Sequence, residues 1–151
     1  MADEVRIRIA EDTDLIPARA EGRAQAERQG FTRTDATLIA TAISEVARNI
    51  VVHVGDGEIV MRALEEGHRC GVLVIARDEG PGIRDVEAAV RQGYADSSSL
   101  GLGLPGARRL MDEFELASSS KAGTTVKMVK WRIRDDLEML RERRRRDDGA
   151  G

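Results

Sequence analysis

Residues 97–113 read SSSLGLGLPGARRLMDE and contain Gly101-x-Gly103-x-x-Gly106, the spacing that wraps a pyrophosphate at the start of a helix in dinucleotide-binding folds. That fingerprint must leave a buried parallel strand inside a βαβ unit, with an acid ~20 residues further on to hold a ribose. The residues ahead of Gly101 are GYADSSS, a loop composition, and Asp112, Glu113 and Glu115 follow too soon. A P-loop is excluded as well, because no glycine-rich stretch ends in Lys-Ser or Lys-Thr. What remains is the helix LPGARRLMD with glycines set directly before it, where exposed amides favour phosphate. A mere flexible linker does not account for that placement, so the rest of a nucleotide pocket has to come from elsewhere in the chain.

Outward from this stretch the chain alternates short elements. VRIRI (5–9) has the period of a strand with one buried face, at or near a sheet edge. Asp12 to Gln29 reads as a helix with Asp12 or Asp14 as cap and Pro17 in its first turn, stopped by Gly30. A second helix, about Thr34 to Val52, carries the apolar stripe Leu38, Ile39, Ala42, Ile43, Val46, Ile50 and ends at Gly55 and Gly57. EIVMRAL and GVLVIARD, joined by EEGHRC, form an expected antiparallel hairpin. Then come the loop DEGPGI, a short helix DVEAAVRQG, the polar YADSSS, the glycine loop and a helix from about Leu104 to Asp112. EFELASSS and TTVKMVKWRI flank KAG as a second hairpin. The order β-α-α-β-β-α-α-β-β predicts an α+β sandwich, a mostly antiparallel sheet with helices on one face.

With 151 residues the chain is about one domain, here 1–133, followed by a charged tail at 134–151 expected to be a short helix fraying into disorder. The net charge of -3 with 34% charged residues carries no overall signature of nucleic-acid binding, and four aromatic residues are too few for base-stacking platforms. Arg143 to Arg146 suit nucleic acid or an acidic protein, but neighbouring acids dilute the run and a solvated tail is the expected reading. The start MADEVRIRIA lacks a secretory pattern and no apolar run is long enough to span a bilayer, so a cytoplasmic protein is expected. Cys70 has no second cysteine to pair with and reads as a small core residue, and His53 and His68 show no metal-ligand spacing.

Three further segments carry chemistry. In ISEVARNIV, Glu45 and Asn49 lie one helical turn apart with Arg48 close to Glu45. A carboxylate beside a carboxamide suits a magnesium nucleotide site, supplying a base and a hard oxygen ligand, although Glu45 with Arg48 also fits an ordinary surface ion pair. In ARDEGPGI, Asp78 follows an apolar strand directly, and Gly80 and Gly82 let the backbone approach a flat ligand, the plainer alternative being a tight turn with an Asp cap. In KAGTTV, Thr124 is placed to set a hydroxyl beside Asp78 from a neighbouring strand.

Taken in order, E-x-x-R-N, D-E-G-P-G-I, G-L-G-L-P-G and G-T-T-V resemble the motifs of the GHKL ATPases over about residues 5–132, and most closely those of the RsbT-type switch kinases of the stressosome rather than the RsbW or SpoIIAB anti-sigma factors. The resemblance implies a Bergerat sandwich using ATP and Mg2+. It makes Glu45 the catalytic base, Asn49 the magnesium ligand and Asp78 the acid that recognises adenine. It puts Gly80, Gly82 and Ile83 at the pocket floor, Gly101, Leu102, Gly103, Leu104 and Gly106 in the lid over the phosphates, Thr124 at adenine, and Arg48 beside the nucleotide. Where related kinases carry a basic residue or threonine before the first lid glycine, this chain has ADSSSL, and Arg108 or Arg109 offer substitutes. The function implied is a serine/threonine kinase that phosphorylates a STAS-domain antagonist and, once released, binds and activates a PP2C-type phosphatase, with no nucleic-acid or membrane partner. The alternatives are an anti-sigma factor sequestering a sigma subunit, and a nucleotide-switched binding module without catalysis.

Overall fold

The computed structural model describes residues 4–80, 103–119 and 123–149. Its elements are β1 (Val5–Ile9), a 3-10 turn (Asp12–Asp14), α1 (Leu15–Arg28), α2 (Arg33–His53), β2 (Gly57–Glu66), β3 (Arg69–Asp78), α3 (Gly103–Leu110), β4 (Glu113–Ser119), β5 (Gly123–Ile133) and α4 (Asp136–Gly149). The five strands make one sheet in the order β1-β2-β3-β5-β4, every neighbour antiparallel, with β1 on an edge as its alternation predicts. The DEGPGI loop beyond Gly80 and the short helix expected over 85–93 lie outside the described residues.

Alternation along the strands decides what the helices cover. Ile7, Ile9, Ile59, Met61, Val72, Val74, Ala76, Val126 and Met128 share one sheet face and pack against Ala36, Ile39, Ile43, Val46 and Ile50 of α2, joined by Leu104 and Ala107 of α3. Each such Val, Leu, Ile or Met side chain removed from water contributes ~1.5–3 kcal/mol before ordering costs. In β3 and β5 the opposite-facing Leu73 and Val129 are buried too. Strands apolar on both faces belong at the centre of a sheet, and the half-polar EFELASS ends on the other edge.

Two boundaries are tighter than the residue pattern suggests. The hairpin turn is only Gly67-His68, because backbone pairing continues through Glu66 and Arg69 whatever the polarity of their side chains. The helix after the glycine loop stops at Leu110 because the Asp112 N–H turns to the Val129 carbonyl, 2.9 Å away, and opens β4. At the start of α1, Asp14 reaches backwards and not forwards: its Oδ2 accepts from the N–H groups of Ala10 (2.8 Å) and Glu11 (2.9 Å), which hold its carboxyl below the usual carboxylate range.

The tail, expected to carry a short helix, carries one. Asp136–Gly149 forms a helix of 14 residues, whose N–H of Glu138 is capped by Asp135 Oδ1 at 2.7 Å. Its inward acids meet cations leaving β5: Arg132 pairs with Glu138, and Arg134, only 4% exposed, binds Glu142 and donates to the Gly67 carbonyl at 2.9 Å. His68 in the β2–β3 turn meets Asp136 at 2.8 Å. Replacing Arg134 with Ala leaves Glu142 and Gly67 without their donor. The expected result is a loss of ~2–4 kcal/mol, below the range for a fully buried pair because Glu142 is partly exposed, with reduced helicity in far-UV circular dichroism. Unchanged unfolding and helicity would show that α4 is held by something else.

Candidate functional site

Glu45 lies in the middle of α2 and is 6% exposed. A buried carboxylate needs donors, and the main one here is the backbone N–H of Gly103, which reaches Glu45 Oε2 at 2.8 Å. Gly103 opens α3 with φ +50, so the carboxylate sits on the amide-rich, positive end of a helix that packs along α2. Arg48 Nη1 stands 3.9 Å from the other oxygen, Oε1, the long end of an ion pair. Asn49, half-buried, is one residue further along α2.

Asp78 closes β3 and is 8% exposed, with Oδ1 accepting from the N–H of Gly80 at 3.0 Å. Gly57 of β2 and Thr124 of β5 are its cross-strand partners, so Asp78 lies between neighbours on both sides. Thr124 is buried, and its Oγ1 shares a hydrogen bond of 2.9 Å with Ser118 Oγ. A Cβ at Gly80 would come within 2.7 Å of Val54 Cγ2, which brings the loop after Asp78 against the end of α2. Helix α2 thus carries Glu45 and Asn49 on its body and touches the loop after Asp78 at its end.

The glycine stretch divides. Gly101 and Leu102 lie outside the described residues, as do Gly82 and Ile83. Gly103 and Gly106 belong to α3 itself, and Gly106 is buried along with Leu104. Leu104 therefore gives its side chain to the core, leaving only its backbone amide to face a ligand. Arg108 and Arg109 are exposed near the far end of α3.

Residue-by-residue reading passes over Gly123. It has φ +79, and a Cβ there would overlap the Asp78 carbonyl and the Cα of Glu79. The signal was the glycine of KAG, legible as a turn but not as the neighbour of Asp78. Gly123→Ala should cost ~1–3 kcal/mol from the left-handed backbone alone and more from the overlap. Thermal unfolding should drop by roughly 5 °C or more, with nucleotide affinity falling alongside. An unshifted transition would mean that this turn does not constrain Asp78.

Cys70 is buried, its thiol points to the Gln29 carbonyl at 3.5 Å, and burial pushes its pKa up, as befits an unreactive core residue. Among the described residues no group of three or more His, Cys, Asp or Glu is placed to hold a metal. A magnesium ion would fit only as a partly hydrated one, held by the Asn49 oxygen together with phosphates. A groove of about 670 Å³ on the sheet face opposite α2 reaches Asp78 past Arg8, Glu58 and Arg77. Its arginines are matched by acids, Arg8 with Asp56 and Arg77 with Glu58, so it is a poor phosphate site. Among the described residues no helix is long and apolar enough to cross a membrane.

A family model described as a histidine kinase-like ATPase domain matches residues 9–130. The chain is 42% identical over 131 residues to the serine/threonine-protein kinase RsbT of Bacillus subtilis (strain 168), covering 87% of this chain and 98% of that protein. It is 33% identical over 99 residues to the anti-sigma F factor of Thermoanaerobacter sp. (strain X514), covering 62% of this chain and 68% of that protein. The solved structure of the RsbU and RsbW domains of Rv1364c from Mycobacterium tuberculosis superposes with a TM-score of 0.58 at 22% identity, over 89% of this chain and 34% of that one, a likeness of fold.

Proposed function

The chain belongs to the histidine kinase-like ATPase domain family, and from that premise we propose that it is an ATP- and magnesium-dependent protein serine/threonine kinase of a partner-switching pathway. Its substrate is a STAS-domain antagonist, and on release the chain binds and activates a PP2C-type phosphatase. The observation that carries this reading is the hydrogen bond from the Gly103 amide to buried Glu45, which sets a carboxylate against the helix end where phosphate amides gather.

The roles follow from which atoms are engaged. With Oε2 held by Gly103, Glu45 presents Oε1 to the incoming hydroxyl and accepts its proton as the oxygen bonds to the terminal phosphorus, whose bond to the β–γ bridging oxygen breaks to release ADP. Arg48 stands beside that oxygen and steadies its direction. Asp78 keeps Oδ1 on Gly80 and offers Oδ2 to the exocyclic amine of adenine, with the Thr124 hydroxyl as its neighbour. First-turn amides of α3 face the phosphates. Magnesium, held through Asn49, would offset charge on the phosphate oxygens.

The test is transfer of labelled γ-phosphate from ATP to a purified STAS-domain protein, with serine or threonine as the expected acceptor. Similarity to a protein named anti-sigma F factor favours a second reading, sequestration of a sigma subunit, which inhibition of transcription in a purified system would reveal. ATP binding with neither outcome would leave a nucleotide-switched module and sink the kinase reading.

A further inference from the structure

The match to the ATPase family ends at residue 130, before α4 begins, so α4 is not accounted for by that domain. The two sides of this helix have different chemistry. Glu138, Glu142 and Arg146, four apart, face the body and are used there, on Arg132, Arg134 and Glu65. Leu137, Leu140, Arg141 and Arg144 stand at i, i+3, i+4 and i+7, which is one face, the outer one. Leu137 is 55% and Leu140 50% exposed, and Ile133 at the end of β5 adds a third exposed aliphatic. Among the described residues Arg141 and Arg144 have no ion pair within 4.0 Å.

We infer that this outer face of α4 is a docking surface for an acidic, amphipathic segment of a partner protein. The inward acids of the helix are already neutralised and Asp136 meets His68, which leaves Arg141, Arg143, Arg144 and Arg145 against Asp147 and Asp148 as the remaining charges of the helix among the described residues. Leucines beside the arginines select a protein over a nucleic acid, since a phosphate backbone gives an aliphatic side chain nothing to pack on. A second copy of the same face is disfavoured by like charge, arginine meeting arginine. Helix α4 adjoins the β2–β3 turn, whereas Asp78 closes the other end of β3, a strand of 10 residues or ~30 Å, so an occupant leaves the nucleotide site open.

The experiment measures fluorescence anisotropy of a labelled amphipathic helical peptide of glutamate and leucine titrated with the full chain at ~0.15 M salt. Binding is expected, weakened about tenfold or more in Leu137→Gln/Leu140→Gln and again in Arg141→Gln/Arg144→Gln, substitutions that keep helix propensity. Far-UV circular dichroism confirms that α4 persists in both. Should either variant lose helicity, Arg141→Glu/Arg144→Glu serves in its place and should transfer binding to a lysine and leucine peptide. The inference is overturned if the wild type ignores the peptide, or if both variants bind it unchanged. It is equally overturned if polyglutamate or a DNA duplex binds as well as the peptide, or if sedimentation shows a dimer that the leucine variant dissolves.

Discussion

In Glu45→Gln, phosphoryl transfer is expected to fall by about 10²- to 10⁴-fold, the usual contribution of a positioned base, with ATP affinity and thermal stability little changed. The amide of glutamine still offers an oxygen to the Gly103 N–H, so α3 stays anchored to α2 while the second position can no longer take a proton. Glu45→Ala is a blunter variant than the sequence alone suggests. It also leaves the first amide of α3 unsatisfied, an N-terminal capping loss of ~1 kcal/mol that should loosen the helix following the glycine loop. The pair of variants separates the two roles: a transfer rate lost equally in both, with lowered ATP affinity only in Glu45→Ala, is the expected pattern. Measurable transfer near wild-type rate in Glu45→Gln would mean that Glu45 is a helix cap and not a base.

Asp78→Asn should weaken ATP and ADP alike by about a hundredfold or more, since a charge-assisted acceptor is replaced by a donor facing adenine's own amine. Fold effects should be small. The asparagine Oδ1 can still accept from the Gly80 N–H, and the cross-strand neighbours Gly57 and Thr124 are untouched. Calorimetric titration with a non-hydrolysable ATP analogue and with ADP reads the effect directly. Equal loss for both nucleotides locates Asp78 at the base, whereas loss confined to ATP would move it to the phosphates and reassign the site.

Much of this architecture was legible because each local pattern answers to one physical requirement. VRIRI alternates since one face is buried, α2 carries a stripe since only that side meets the sheet, and the Asp78 and glycine segments hold residue types that few other tasks need together. Even the opposition of Asp78 and Thr124 follows once β3 and β5 pair. What no stretch could disclose is set by partners distant in the chain. The joining of two hairpins through β3 and β5 buries Leu73 and Val129 as direct partners on the second face of the sheet, a pairing that gains meaning only when the strands meet. Gly123 lies at Asp78, and Gly103 donates to Glu45 58 residues away, because a buried carboxylate takes whichever donor packing brings within reach. The tail reads as a short, charged helix, but that Arg132 and Arg134 seat it by meeting Glu138 and Glu142 is not legible in its own residues. Pattern and spacing thus determined the elements, and the ordered motifs through their resemblance to a known family pointed to the chemistry, while strand order, the donor at each buried acid and the seat of α4 were decided by tertiary packing, since hydrogen-bond satisfaction and burial are properties of neighbours in space.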